Sequence, residues 1–356
     1  MTELIALLMF PTMAIALALG FPVALSLMGT AVIFGYIRFG SAAGYQLMNK
    51  FDEIATNYIL AAVPLFIFMG VMIEKSGIAV RLFDAIHLWT RRIPGGMAIG
   101  TIVMCMIFAA ASGVVGATES VVGLLAIPPM LKYAYDKGLI SGTICAGGSL
   151  GTIIPPSVIA VILGPVAQVS VGAIFIAMII PGFLLAVLYM AYIFVRCTVD
   201  PKAGPRLPPL PDEPGFALKA WRTAVAIIPT GIVIFLVLGS IMLGWAAPTE
   251  AAALGAFGAI VLAGFYGGLS TQSLIDALYR TAMVSAMILL ILLGGTMFAG
   301  VFAASGGLSG TRELIELLGF GPWGTLALVL AIAFLLGFMI DPVSIILILI
   351  PLAAPI

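Results

Sequence analysis

Two short stretches hold most of the oxygen chemistry in an otherwise apolar chain. The first runs Phe108-Ala-Ala-Ala-Ser112-Gly113-Val114-Val-Gly-Ala-Thr118-Glu119-Ser120 and leads to Ile127-Pro128-Pro129. The second runs Gly337-Phe-Met-Ile-Asp341-Pro342-Val-Ser344 and leads to Ile350-Pro351. Each combines a carboxylate, a hydroxyl and glycine-loosened backbone inside a run long enough to reach membrane depth. In hydrocarbon an unpaired backbone polar group costs several kcal/mol, so a broken helix survives only where protein surrounds it or it lines a cavity. Two such breaks, in corresponding places of two halves, point to a central ion- or solute-binding site.

At the first tip, Ser112 and Thr118 offer hydroxyl oxygens, and the backbone at Gly113 and Val114 is expected to offer carbonyls. Such oxygen-rich, partly unwound backbone suits Na⁺, and helix N-termini attract carboxylates. The competing reading is close helix packing through small residues. Glu119 favours the functional reading, because an intramembrane carboxylate marks a functional site by default. A second oxygen-rich element is Gly147-Gly-Ser149-Leu-Gly151-Thr-Ile-Ile-Pro155-Pro156-Ser157. Its prolines and glycines are expected to break a span and free carbonyls near Gly151 to Ile154. With Ser149 and Ser157, these would close a cation site against the first tip; a plain proline kink is the alternative. Gly337, Asp341 and Ser344 form the mirror element. Glu250, in Ala247-Pro248-Thr249-Glu250, fits the first turn of a helix, where a carboxylate complements the dipole.

Other chemistries are poorly supplied. His87 is the only histidine, so a multi-histidine metal site is excluded. Cys105, Cys145 and Cys197 have neither disulfide nor metal spacing. No Gly-x-x-x-x-Gly-Lys-Ser/Thr motif occurs, so this chain does not itself hydrolyse ATP. Zero net charge gives no case for nucleic acid. An enzyme would show His, Cys or Asp clusters at membrane depth, and a channel would carry polar residues along several helices.

The elements that must position these residues are helices in a lipid bilayer. The 356 residues are 63% hydrophobic and 8% charged, and mean hydropathy is +1.26. Continuous apolar runs predict an all-α polytopic membrane protein and not a β-barrel. Spans are expected near 4–20, 22–38, 57–74, 140–164, 171–195, 222–243, 247–267 and 283–303. Two-armed hairpins are expected over 94–134, broken at Ser112-Gly113, and over 321–356, broken near Asp341-Pro342. Amphipathic stretches Asn49 to Thr56, Arg81 to Thr90, Thr271 to Arg280 and Thr311 to Leu318 are expected near the interface. Six prolines between Arg196 and Arg222 predict an exposed, semi-extended linker.

The halves align. Pro22 matches Pro248, Ser76-Gly77 matches Ser305-Gly306, and Pro128 matches Pro351, at offsets of 226, 229 and 223. Five spans and a hairpin per half make an odd number of crossings, so the second half is expected to be inverted. With the linker in the cytoplasm, twelve of the fifteen Lys and Arg residues fall inside. Leu131 to Val195 has no counterpart after Pro351, so roughly 65–75 further residues are expected to follow this sequence.

Taken together, these motifs resemble the large membrane subunit of tripartite ATP-independent periplasmic (TRAP) transporters. The resemblance spans the chain and rests on Ala111-Ser-Gly-Val-Val-Gly-Ala-Thr118, Ile127-Pro-Pro-Met130 and Gly147 to Ser157. Pro248-Thr-Glu-Ala-Ala and Asp341-Pro-Val-Ser344 add to it. It implies Na⁺-coupled uptake of an organic acid by an elevator motion, with Na⁺ near Ser112, Gly113 and Gly151 and no other metal or cofactor. It also implies a periplasmic substrate-binding protein and a small four-helix membrane subunit as partners. The moving transport domain would comprise 94–195 and 321–356, the scaffold 1–93 and 222–320, and the cytoplasmic linker 196–221. Many family members have Ser-Gly-Ser at the first tip, where this chain has Ser112-Gly113-Val114. A Pro-Pro-Gly-type segment that completes the second site is also missing here.

Overall fold

The computed structural model describes residues 6–113, 115–208, 215–317, 319, 321–338 and 340–353. Among these the regular structure is helical, with no strand. In chain order the helices are α1 (Met9–Ala18), α2 (Val23–Phe39), α3 (Ala42–Ala55), α4 (Ala62–Lys75) and α5 (Ile78–Thr90). Then come α6 (Gly96–Ser112), α7 (Val115–Lys132), α8 (Lys137–Ile153), α9 (Val158–Ala167) and α10 (Val171–Val199). The second half contributes α11 (Phe216–Met242), α12 (Pro248–Phe265), α13 (Thr271–Ala304), α14 (Gly307–Leu317), α15 (Pro322–Leu336) and α16 (Pro342–Ala353). Among the described residues, five helical segments are long and apolar enough to cross a membrane, or six if α8 and α9 form one broken span.

The expected hairpin arms are α6 with α7 and α15 with α16, turning at Gly113 and at Asp341. Two expectations change. Thr271 to Arg280 is no separate interfacial helix; it is the first third of α13, a continuous 34-residue helix. Good helix formers such as Leu274, Ala277 and Leu278 run on to Leu293 without a glycine or proline, so nothing separates Thr271 to Arg280 from the span that follows. The linker is also less exposed than its prolines suggest. Ala203, Gly204 and Leu207 are buried. Gly95 N–H donates to Gly204 O (3.0 Å), Asp136 N–H to Ala203 O (3.0 Å) and Leu207 N–H to Arg91 O (3.1 Å). Backbone groups placed against protein need partners, and the feet of the first hairpin supply them. Pro209, Pro211 and Pro214 lie outside the described residues.

The chain divides into two compact units. One comprises Met1–Leu60, Ile162–Val169 and Val284–Ile356. Its core joins Met9, Met13, Leu27, Met297, Phe298 and Phe302, with Phe10 edge-on to Phe298 and Phe302 at 5.4 and 5.2 Å. The other comprises Ala61–Val161 and Ser170–Met283. Here α6 is central and packs on α4, α5, α7, α8, α10 and α11, while α4 lies along α12. Gly255 permits that approach: a Cβ there would stand 2.5 Å from both Met69 Sδ and Val237 Cγ2. At the end of α4, Glu74 accepts from Arg280 Nη1 (2.9 and 3.0 Å), and Lys75 pairs with Asp276 (3.3 Å).

Local signs of the repeat recur within the two units. Pro22 caps α2 and Pro248 opens α12. Ser76 and Ser305 are both buried, and each precedes a glycine at positive φ, +75° at Gly77 and +85° at Gly306. Each glycine leads into an amphipathic helix, α5 or α14.

Candidate functional site

The first tip is built by the end of α6. Gly113 caps this helix at φ +64°, a conformation that favours glycine, and its N–H donates to Ala109 O (2.8 Å). A Cβ at Gly113 would lie 2.8 Å from Pro156 O, so two backbones meet here. Ser112 Oγ and Thr118 Oγ1 are 3.1 Å apart and both residues are fully buried. Behind them stands α4: a Cβ at Gly70 would lie 2.5 Å from the Ser112 carbonyl oxygen. Val114 lies outside the described residues.

The facing element is the break between α8 and α9. Ile154 is extended, the Pro155-Pro156 peptide is cis, and Pro155, Pro156 and Ser157 are buried. Ser157 Oγ donates to Thr152 O (2.9 Å), and Val158 N–H reaches Gly113 O at 3.4 Å. The expected freeing of carbonyls by glycine is narrower than predicted. Gly147, Gly148 and Gly151 remain inside α8, and the break is confined to Ile154 through Ser157. Likewise Thr118 and Glu119 sit in the first turns of α7 and not in a loop. Glycine costs a helix only about 1 kcal/mol, and here its lack of a side chain serves close approach. A Cβ at Gly147 would meet Cys105 Sγ, and one at Gly148 would meet Glu119 Cγ.

The structure thus brings Ser112, Gly113, Thr118, Pro156 and Ser157 together, with half-buried Glu119 laid across Gly148 of α8. Ser149 is turned elsewhere: its hydroxyl donates to Ala146 O (2.8 Å) and lies 3.5 Å from Tyr189 Oη. Gly151 is buried within α8. In the other unit, Asp341 caps α16. Its carboxylate accepts from Ser344 N–H (3.2 Å) and Ser344 Oγ (2.5 Å). Ser344 is fully buried, and Gly337 is exposed at the end of α15. Gly70 also positions the tip, and sequence reasoning missed it; a lone glycine inside an apolar helix is its only signal. Glu250 Oε2 accepts from Ala247 N–H (2.8 Å), the helix-start role expected of it.

Among the described residues no three His, Cys, Asp or Glu side chains converge as metal ligands. What the first site offers is a set of uncharged oxygens at the meeting point of a helix C-terminus and a helix N-terminus. Such a set suits a hard monovalent cation, and the N-terminus of α7 adds a partial positive charge for an anion.

Apolar helices interrupted at buried polar tips define a multi-pass membrane transport protein. The family profile described as "Tripartite ATP-independent periplasmic transporter, DctM component" matches residues 10–356, and the chain belongs to that family. It is 32% identical over 313 residues to the C4-dicarboxylate TRAP transporter large permease protein DctM of Pseudomonas aeruginosa, covering 87% of this chain and 71% of that one. It is 31% identical over 352 residues to the ectoine/5-hydroxyectoine large permease protein UehC of Ruegeria pomeroyi (98% and 80%). It is 28% identical to the sialic acid large permease protein SiaM of Vibrio cholerae (95% and 77%). The crystal structure of the Alcanivorax borkumensis YdaH transporter shares the fold, with a TM-score of 0.53 at 15% identity over 92% of this chain and 79% of that one. The protein is therefore a transporter subunit of the inner membrane and not an enzyme.

Proposed function

We propose that this chain moves an organic acid inward, coupled to Na⁺, after a periplasmic binding protein delivers it. The buried Ser112–Thr118 pair against the Pro156 backbone supports this reading, because it supplies neutral oxygens at a break inside apolar helices. The relatives' named substrates, C4-dicarboxylates, ectoine and sialic acid, all carry a carboxylate. A carboxylate is also what a helix N-terminus at membrane depth would receive. Ser112, Gly113, Thr118 and Gly151 are proposed to hold Na⁺, with Glu119 and Ser157 shaping the substrate region beside them; Asp341 and Ser344 are proposed to serve as the corresponding element of the second half. Residues 94–195 and 321–356 would move as the transport domain, by an elevator motion, against a scaffold of 1–93 and 222–320. A small four-helix membrane subunit would extend that scaffold; a relative named as a single permease protein DctMQ suggests that the two can be fused.

The experiment is uptake into proteoliposomes holding the full-length chain and its small subunit. The binding protein, a panel of organic acids and an imposed Na⁺ gradient are added. Uptake needing both Na⁺ and the binding protein is expected. Uptake without the binding protein would instead make this a stand-alone carrier, and uptake driven by protons alone would remove the Na⁺ assignment.

A further inference from the structure

A cavity of about 640 Å³ opens where the end of α5, the end of α7 and the start of α11 meet. Its wall carries Arg81, Arg91, Lys132 and Arg222 against one carboxylate, Asp84, among the described residues. None of the four cations forms an ion pair among those residues. Arg81 stacks 4.6 Å over the Tyr266 ring. Arg91 donates one Nη to Pro208 O (3.1 Å), while its Nε is buried without a hydrogen-bond partner. Burial pushes the pKa of His87 down, partly opposed by the contacts of its ring with the Phe83 and Met97 carbonyls. Four cations around one concavity repel each other and raise the local potential for an anion. All four lie on the face that the charge bias assigns to the cytoplasm.

An exposed apolar stripe leads away from the mouth. Trp221 is exposed at the mouth, and Val225, Ile228, Ile232 and Phe235 continue from it as an exposed stripe along α11. Their spacing keeps them on one helix face. We propose that this cavity holds the phosphate headgroup of an anionic phospholipid from the cytoplasmic leaflet. Its acyl chains would follow the α11 stripe, and Trp221 would sit at headgroup level. The stripe favours a lipid over a soluble phosphate, which would leave that apolar path unused.

Native mass spectrometry of the full-length protein tests this, with phosphatidylglycerol, phosphatidylcholine and inorganic phosphate as probes. Phosphatidylglycerol is expected to bind at least about tenfold more tightly than phosphatidylcholine. Combining Arg91→Gln with Arg222→Gln is expected to lower that affinity about thirtyfold, and Arg38→Gln on α2 is expected to leave it unchanged. If the double variant does not fold, phenylglyoxal labelling of the wild-type protein serves instead. Phosphatidylglycerol should then protect Arg91 and Arg222 and leave Arg38 reactive. Equal affinity for the two lipids, undiminished binding by the double variant, or absence of protection overturns the proposal. So does inorganic phosphate binding as tightly as phosphatidylglycerol, which would mark a soluble-anion site.

Discussion

Ser112 and Thr118 place two hydroxyls 3.1 Å apart with no exposed surface, so each answers part of the other's hydrogen-bonding need. Thr118→Val keeps the shape of the side chain but strips Ser112 Oγ of this partner. Leaving a buried polar group unpaired costs about 1–3 kcal/mol, whereas removing both partners of a pair can be nearly neutral. Thermal unfolding in detergent should therefore show Thr118→Val less stable, and Ser112→Ala with Thr118→Val recovering much of the loss. If the hydroxyls also hold Na⁺, the recovered double variant should still lose Na⁺-dependent uptake. A double variant that regains both stability and uptake would reduce the pair to packing. Asp341 presents a similar ambiguity, because its carboxylate is already engaged as the cap of α16. Asp341→Asn retains a capping oxygen, and Asp341→Ala removes it at about 1 kcal/mol. Asp341→Asn is expected to melt close to wild type and Asp341→Ala below it; loss of uptake in the stable Asn variant would show that the charge is needed beyond the cap.

At the scale of elements, glycines inside apolar helices decide how close the helices come. Ala is preferred to Gly in a helix by about 0.5–1 kcal/mol, so Gly70→Ala should stabilise an isolated α4. Within the protein, its Cβ would press to 2.5 Å from the Ser112 carbonyl oxygen, which is backbone and cannot rotate away. Overpacking of this kind costs about 1–3 kcal/mol, and it outweighs the propensity gain. The melting temperature of Gly70→Ala should fall, and an unchanged value would mean that α4 and the tip do not meet so closely. Gly148→Ala meets a side chain and not backbone: its Cβ would press on Glu119 Cγ, so Glu119 must adopt another rotamer to make room. This contrast marks what was legible in the sequence. Both hairpins, the Pro155-Pro156 break and the helix starts at Pro22 and Pro248 could be read from apolar runs ended by Gly, Pro and Ser. The persistence of α8 through Gly147, Gly148 and Gly151 could not, because local propensity argues for a break and only packing on Cys105 and Glu119 shows why the helix continues. The orientation of Ser149 toward Tyr189 likewise depends on α10, forty residues downstream.

At the scale of the whole molecule, the segment between the halves acts as a strap and not merely as a spacer. Its residues Ala203, Gly204 and Pro205 bind Asp136, Gly95 and Tyr135, which are the two feet of the first hairpin. A segment tied to both feet must travel with the hairpin or release it, so its hold bears on any motion of the tip. Tyr135 is the clearest lever: its hydroxyl accepts from Met97 N–H (3.2 Å) and donates to Pro205 O (3.1 Å). Tyr135→Phe leaves the buried Met97 N–H and the half-buried Pro205 carbonyl short of a partner, a loss of about 1–3 kcal/mol. Faster proteolysis between residues 203 and 208 is expected in that variant, along with a lower melting temperature. The same hydroxyl predicts a pH dependence. Burial pushes its pKa from 10.0 up to about 12, with the Met97 N–H partly opposing. The folded state therefore holds this proton more tightly than the unfolded state. Its contribution is complete below pH 10.0 and declines as pH rises toward about 12, because the unfolded chain ionises first. Lysines and other tyrosines titrate in the same window, so the informative quantity is the difference between wild type and Tyr135→Phe. That difference in stability should be constant from neutral pH to about 10 and shrink above it. A difference that stays flat to pH 12 would mean that the Tyr135 hydroxyl is in contact with water and that the strap is already loose at this foot.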